Sequence, residues 1–185
     1  MSVYNSGSRT QILDPIIDLK NNRVEWSLNT DSCYSSNIRI LNLGLTTTGA
    51  KTKYNRLAGS LGIVKNIYLM DGHGQTLDQL LDANKFLGFK MFNKGHSGSR
   101  SLDRNMVGNS LGNVVDSGSK IGRVIEDKPL DTTDLLTGKG MLNLSDALPM
   151  LRSTKILPTT IFKQLRVVIE FETNANNLAQ VNNQV

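Results

Sequence analysis

The chain has 185 residues, with 21 lysines and arginines, 16 aspartates and glutamates, and one cysteine. This length suits one domain whose hydrophobic core is large enough to be stable without disulfides or a bound metal ion. A single cysteine excludes an internal disulfide, which favours an intracellular protein. The charge of +5 is spread along the chain, so it does not predict a specific nucleic-acid partner. We find neither a signal peptide nor an apolar run long enough to span a bilayer, so we expect a soluble protein without membrane insertion.

The first predicted strand follows an N-terminal arm of residues 1–22. Val24, Trp26 and Leu28 alternate with polar residues, which predicts a half-buried strand with the tryptophan on the core side. Further on, the apolar residues of 38–40 and those of 41–45 alternate in opposite phases. A single strand through both segments requires a bulge near residues 40 and 41.

Four later segments complete the predicted strands. GIVKNIYLM at 62–70 and FLGFKMF at 86–92 are predicted as core strands, and Leu142 with Leu144 indicates another. LRVVIEF at 165–171 has the most regular alternation of apolar and polar residues.

Between these strands the chain is rich in Gly, Ser, Asn and Thr. Residues 93–120 form a long polar excursion, which is typical of a functional or mobile loop. We therefore predict an all-β jelly-roll β-sandwich of about eight strands over residues 23–173, followed by a polar tail or linker at 174–185.

The stretch DGHG at 71–74 offers a carboxylate and a histidine on a glycine-flanked turn. Asp71, Gly72 and Gly74 suit a tight turn at the end of a strand. Thr76 and Gln79 match a capping box, which predicts a short helix after residue 76. On this interpretation His73 is a solvated turn residue.

Catalytic and metal-binding interpretations of this stretch fit less well. A dinucleotide fingerprint needs glycine where Leu77 stands, and GHSGS at 95–99 does not match a nucleophile elbow. A zinc site would have to combine His73, His96 and Cys33 from three separate loops. We predict no catalytic, cofactor or metal-binding residues, and an enzyme using His73 and Asp71 is the third-ranked hypothesis.

A basic loop leaves two interpretations open. Lys51, Lys53 and Arg56 flank Tyr54, which would suit a phosphate-contacting patch with an aromatic stacking residue, or a solvated charged loop. Of the two, we take the solvated charged loop as the better interpretation.

The order of the segments resembles a known family. WSLNT, SNIRILNLGL, GIVKNIYLMDGHGQTLDQLLDANKFLGF, the polar excursion, GMLNLSDALPML and ILPTTIFKQLRVVIEFET together resemble the N-terminal jelly roll of double jelly-roll viral major capsid proteins. These belong to the adenovirus and tectivirus lineage, and the resemblance is greatest to its polinton-like, adintovirus and virophage branch. It spans about residues 23–173 and rests on segment order.

The resemblance implies a function without chemistry. Such proteins build the virion shell by self-assembly, as trimers with other capsid proteins around them, inside the host cell. They carry two jelly rolls in tandem, whereas this chain has one, so we expect either half of a longer protein or a single-barrel relative. The alternative is a lectin-like or receptor-attachment module that uses the loop at 93–120.

Overall fold

The computed structural model describes residues 10–20, 22–30, 32–35, 37–43, 53–54, 59–93, 140–154, 156–162, 164–174 and 179–180. This part of the chain is predominantly β, and every strand pair in it is antiparallel. The all-β prediction is therefore correct at the level of fold class. Beyond Asn93, the predicted loop at 93–120 lies outside the described residues.

The described residues form eleven strands, one 3₁₀ helix and three α-helices. The strands are β1 (Ile17–Lys20), β2 (Arg23–Ser27), β3 (Cys33–Ser35), β4 (Arg39–Leu43), β5 (Lys53–Tyr54), β6 (Val64–Met70), β7 (Thr76–Leu80), β8 (Gly140–Asn143), β9 (Ile156–Pro158), β10 (Arg166–Phe171) and β11 (Ala179–Gln180). The 3₁₀ helix is Gly59–Ile63, and the α-helices are α1 (Ala83–Asn93), α2 (Leu144–Ala147) and α3 (Pro149–Ser153).

A five-stranded sheet in the order β1-β2-β10-β6-β7 organises the described part of the chain. β10 lies at its centre, with Val167 opposite Trp26 on one side and Leu69 on the other. Val167, Leu69 and their neighbours in the same phase face the core, since successive side chains of a strand point to opposite faces. Trp26 packs against this core and is half-buried, as its alternation predicts.

Three two-stranded sheets accompany the main sheet: β4 with β8, β3 with β9, and β5 with β11. The register of β4 on β8 shifts between Ile40 and Leu43, so the bulge predicted from the opposed phases is confirmed. β1 lies within the predicted N-terminal arm and pairs with β2. β11 lies within the predicted polar tail and pairs with β5.

Two predicted elements are wrong. Residues 76–80, predicted to begin a short helix, form strand β7, because pairing with β6 overrides the local capping pattern. Residues 86–92, predicted as a strand, belong to helix α1. The strand predicted at Leu142 and Leu144 is observed at Leu142 but not at Leu144, since β8 ends at Asn143 and α2 starts at Leu144.

Helix α1 buries one side of its described residues and exposes two aromatic rings on the other. Its buried positions are Ala83, Asn84, Leu87 and Gly88, whereas Phe86 and Phe89 are exposed. Small side chains allow the helix to lie close to the 3₁₀ helix and β6. Polar contacts fix both ends, because Asn84 Nδ2 donates to Glu172 Oε2 at 3.1 Å and Lys90 Nζ pairs with Asp146 Oδ1 at 2.7 Å.

A buried threonine ties the loop after β2 to the segment after β9. The hydroxyl of Thr159 lies 2.5 Å from the carbonyl oxygen of Asn29, 3.0 Å from that of Thr30 and 2.6 Å from that of Ser32. The backbone N–H of Thr159 also donates to the Ser32 oxygen. Because Thr159 is fully buried, its hydroxyl needs a protein partner, and its one proton can be donated to any one of these oxygens.

Candidate functional site

The DGHG stretch forms the turn between β6 and β7. Asp71 Oδ1 accepts the backbone N–H of His73 at 2.9 Å and that of Gln75 at 2.8 Å. Gly74 has φ of +85°, which glycine adopts without strain. The predicted tight turn is confirmed, but it leads into a strand and not a helix. The carboxylate of Asp71 holds the turn, and His73 is exposed.

The other candidate residues from the sequence are not brought together in the described part of the chain. Cys33 is exposed on β3, while His96, Lys51 and Arg56 lie outside the described residues. Lys53 and Tyr54 form β5, of which the structure describes the backbone. Within the described ranges, no group of three or more His, Cys, Asp or Glu side chains could hold a metal ion.

A polar assembly lies on the face of the main sheet opposite the core. It consists of six side chains from three neighbouring strands, which we call the sheet-face cluster: Arg23, Glu25, Asn66, Tyr68, Arg166 and Glu170. Residues of one phase share a face of a sheet, so the register brings these side chains together from β2, β6 and β10. The sequence shows the alternation of each strand, but this grouping depends on the register between distant strands.

Glu25 is the buried carboxylate of the cluster. Its side chain is 7% exposed, and Arg23 Nη2 lies 2.7 Å from its Oε1. Arg166 Nη1, from the neighbouring strand, lies 3.8 Å from its Oε2. A buried carboxylate requires such partners, because desolvation of an unpaired charge is costly. Arg166 also donates to the carbonyl oxygen of Gly72 at 3.2 Å, which joins the cluster to the DGHG turn.

Tyr68 and Glu170 form the second half of the cluster. The Tyr68 hydroxyl donates to Glu170 Oε2 at 3.1 Å, and Asn66 Nδ2 donates to the same oxygen at 2.8 Å. Burial raises the pKa of Tyr68 above its ordinary value of 10.0, and the hydrogen bond to Glu170 and its negative charge raise it further. At neutral pH Tyr68 is therefore a protonated hydrogen-bond donor and not a base or nucleophile.

The composition of the cluster favours a structural role. Two arginines face two glutamates, so the formal charges cancel, and both carboxylates accept hydrogen bonds or ion pairs from neighbouring strands. These contacts join β2, β6 and β10, so the cluster holds three strands in register.

The described surface also exposes large apolar side chains in several places. They occur in the segment before β1, on β4, around α1, and on and after β9: Ile12, Ile16, Leu41, Leu81, Phe86, Phe89, Ile156 and Ile161. Single exposed apolar residues are ordinary, but neighbouring ones can mark contact surfaces. Phe86 and Phe89 are three residues apart on one helix, which makes them neighbours on its surface.

Among the helices that the structure describes, none has the length and apolar character needed to cross a membrane. A function can be argued from three features of the described residues: the central sheet, the sheet-face cluster and the exposed apolar side chains. No protein-family model matches the chain, and neither do the curated proteins or solved structures with which it was compared.

Proposed function

We propose that this protein is a structural subunit of a viral capsid, which builds the virion shell by self-association inside the host cell. Its fold in this proposal is a jelly-roll β-sandwich that presents apolar side chains and strand edges to neighbouring copies. Trimers are the oligomer that the resemblance to double jelly-roll capsid proteins implies, with other capsid proteins as further partners. In this role the protein is not an enzyme and needs no cofactor.

The exposed apolar side chains carry this proposal. Eight large ones are exposed in the described residues, and they come from four separate parts of the chain. A subunit of a closed shell contacts neighbours on several sides, so it needs apolar contact residues on more than one surface. A protein that binds one small ligand would need only a single concave site.

The strand pairing supports the sandwich part of the proposal. β10 pairs with β2, about 140 residues earlier, and with β6, and all of these pairs are antiparallel. Jelly rolls bring together strands that are far apart in sequence in this way. The sheet-face cluster is consistent with a rigid building block, because it joins three of these strands through ion pairs and hydrogen bonds.

The lectin-like or receptor-attachment module is the alternative function. It relies on the loop at 93–120, which lies outside the described residues beyond Asn93. An attachment module should bind a glycan or receptor and need not assemble.

Electron microscopy of the purified protein tests the proposal. We expect ring-shaped or shell-like particles of uniform size at high protein concentration. Glycan-array binding is measured on the same preparation. Binding of a defined glycan by a protein that forms no uniform particles would contradict the capsid proposal and favour the attachment module.

A further inference from the structure

The exposed face of helix α1 is built from a small set of complementary side chains. Phe89 is 67% exposed and Phe86 is 44% exposed, on the side of the helix opposite its buried residues. Leu81, which is 53% exposed, precedes the helix. Between them lie Asp82 and Lys85, both exposed, which form an ion pair at 3.2 Å. We call these five residues the α1 face.

The order of these residues is self-complementary. Along the chain the residue types follow the order apolar, acidic, basic, apolar at Leu81, Asp82, Lys85 and Phe86. Each charged residue is adjacent in sequence to an apolar one. A two-fold axis at the first turn of α1 would place Asp82 of one copy opposite Lys85 of the other, and Leu81 opposite Phe86. A two-fold interface requires this kind of symmetric surface, in which a patch matches itself.

We propose that the α1 face is a two-fold contact between two copies of this chain. This inference rests on the proposed self-association and identifies one surface that mediates it. The net charge of the whole chain is +5, so copies repel one another at long range. The α1 face is locally neutral, with one acid and one base, so it is a place where two copies approach without local repulsion. Its charged pair lies between apolar side chains, so ion pairs and apolar contacts can form together across the two-fold axis.

The available area predicts a weak contact. With 44% and 67% of their surfaces exposed, Phe86 and Phe89 together offer on the order of 200 Å² of apolar surface per copy. Two copies therefore bury roughly 400 Å² through these rings, against about 1,200 Å² or more for a stable interface. This contact gives concentration-dependent pairing by itself and contributes to assembly together with other contacts.

Sedimentation equilibrium of the full chain tests the apolar part. Replacing both rings, as in F86S/F89S, should raise the dissociation constant of self-association about tenfold or more. The matched control is H73S/Q75S, which replaces two exposed residues of the DGHG turn outside the exposed apolar set and should leave association unchanged. Unchanged association of F86S/F89S would overturn the inference.

Charge reversal tests the two-fold arrangement. D82K gives the α1 face two positive charges and K85D gives it two negative charges, so each variant alone should associate more weakly than the wild type. An equimolar mixture of the two should associate better than either variant, because a positive face then meets a negative one. An internal ion pair that serves only the monomer cannot produce this recovery.

The outcomes separate the two proposals. A wild-type chain that stays monomeric at every concentration contradicts the proposed function itself. A wild-type chain that associates, combined with a mixture of D82K and K85D that shows no recovery, overturns the two-fold contact alone. Asp82 has φ of +50°, where lysine is less favourable, so the melting temperature of each variant is measured to confirm that it is folded.

Discussion

Replacing Glu25 with alanine removes the buried carboxylate that faces both arginines of the sheet-face cluster. Removal of one partner from a buried ion pair costs about 3–5 kcal/mol, because the other charge is left without a partner. Here the side chains of Arg23 and Arg166 are 40% and 33% exposed, so water can replace part of the lost interaction. We therefore expect Glu25→Ala to lower the free energy of unfolding by about 1–3 kcal/mol.

Urea unfolding followed by tryptophan fluorescence measures this loss. Trp26 is the single tryptophan and lies next to Glu25 on β2, so its emission reports on this strand. With a urea m-value of about 2 kcal/mol/M, the midpoint should fall by about 0.5–1.5 M. Protein concentration is held constant, because association adds to apparent stability.

Two further variants are compared with Glu25→Ala. Glu25→Gln keeps the shape and one acceptor oxygen, so it should cost less than Glu25→Ala. Asp14→Ala removes an exposed carboxylate and should change the free energy of unfolding by about 0.5 kcal/mol or less. A midpoint for Glu25→Ala equal to that of Asp14→Ala would refute the assignment of Glu25 as a buried ion-pair partner.

Three further predictions concern single side chains. Because the pKa of Tyr68 is raised in the folded state, its protonated side chain stabilises the fold below about pH 10, and this contribution is lost as the pH rises through the folded-state pKa. In urea titrations at alkaline pH, the wild-type protein should therefore lose stability relative to Tyr68→Phe. Parallel stability curves for the two proteins would contradict the pKa shift. Thr159→Val removes the hydroxyl that donates to a carbonyl of the loop after β2 and should cost about 1–3 kcal/mol in the same assay, whereas Thr159→Ser keeps it and should cost less. Equal losses would show that the methyl group matters as much as the hydroxyl. His73→Ala should change stability by about 0.5 kcal/mol or less, and loss of a measurable enzymatic activity in this variant would show that the turn is catalytic.

The sequence was informative where a local pattern and a long-range contact require the same residues. Alternation at 165–171 predicts a strand, and β10 occupies this region at the centre of the main sheet. Opposed phases near residue 40 predict a bulge, and the register of β4 shifts there. Asp71 holds its turn through its own side chain, so that turn can be predicted without knowledge of the rest of the fold.

The two wrong elements have different physical causes. The capping pattern at Thr76 and Gln79 predicts a helix, but pairing with β6 makes these residues strand β7. The apolar run at 86–92 predicts a strand because Phe86, Phe89 and their apolar neighbours are expected to be buried. The structure buries Ala83, Leu87 and Gly88 and exposes the rings of Phe86 and Phe89. Binary patterning fails when large apolar residues face outward, and that same inversion produces the α1 face.

The sheet-face cluster could not have been predicted from a single sequence. Glu25 and Arg166 are about 140 residues apart, and their contact depends on the pairing of β2 with β10. A one-residue slip in that pairing would turn one of them to the opposite face. Single-strand alternation gives the face of each residue within its own strand, but not its partner on the next.

The mass of the wild-type chain in solution tests the central claim most directly. Light scattering coupled to size-exclusion chromatography, over a wide range of protein concentrations, measures it without reference to any particular contact. Self-association predicts a mass that rises with concentration to a defined multiple of the 20.3 kDa chain, with the trimer as the proposed species. A mass of one chain at every concentration would contradict the account.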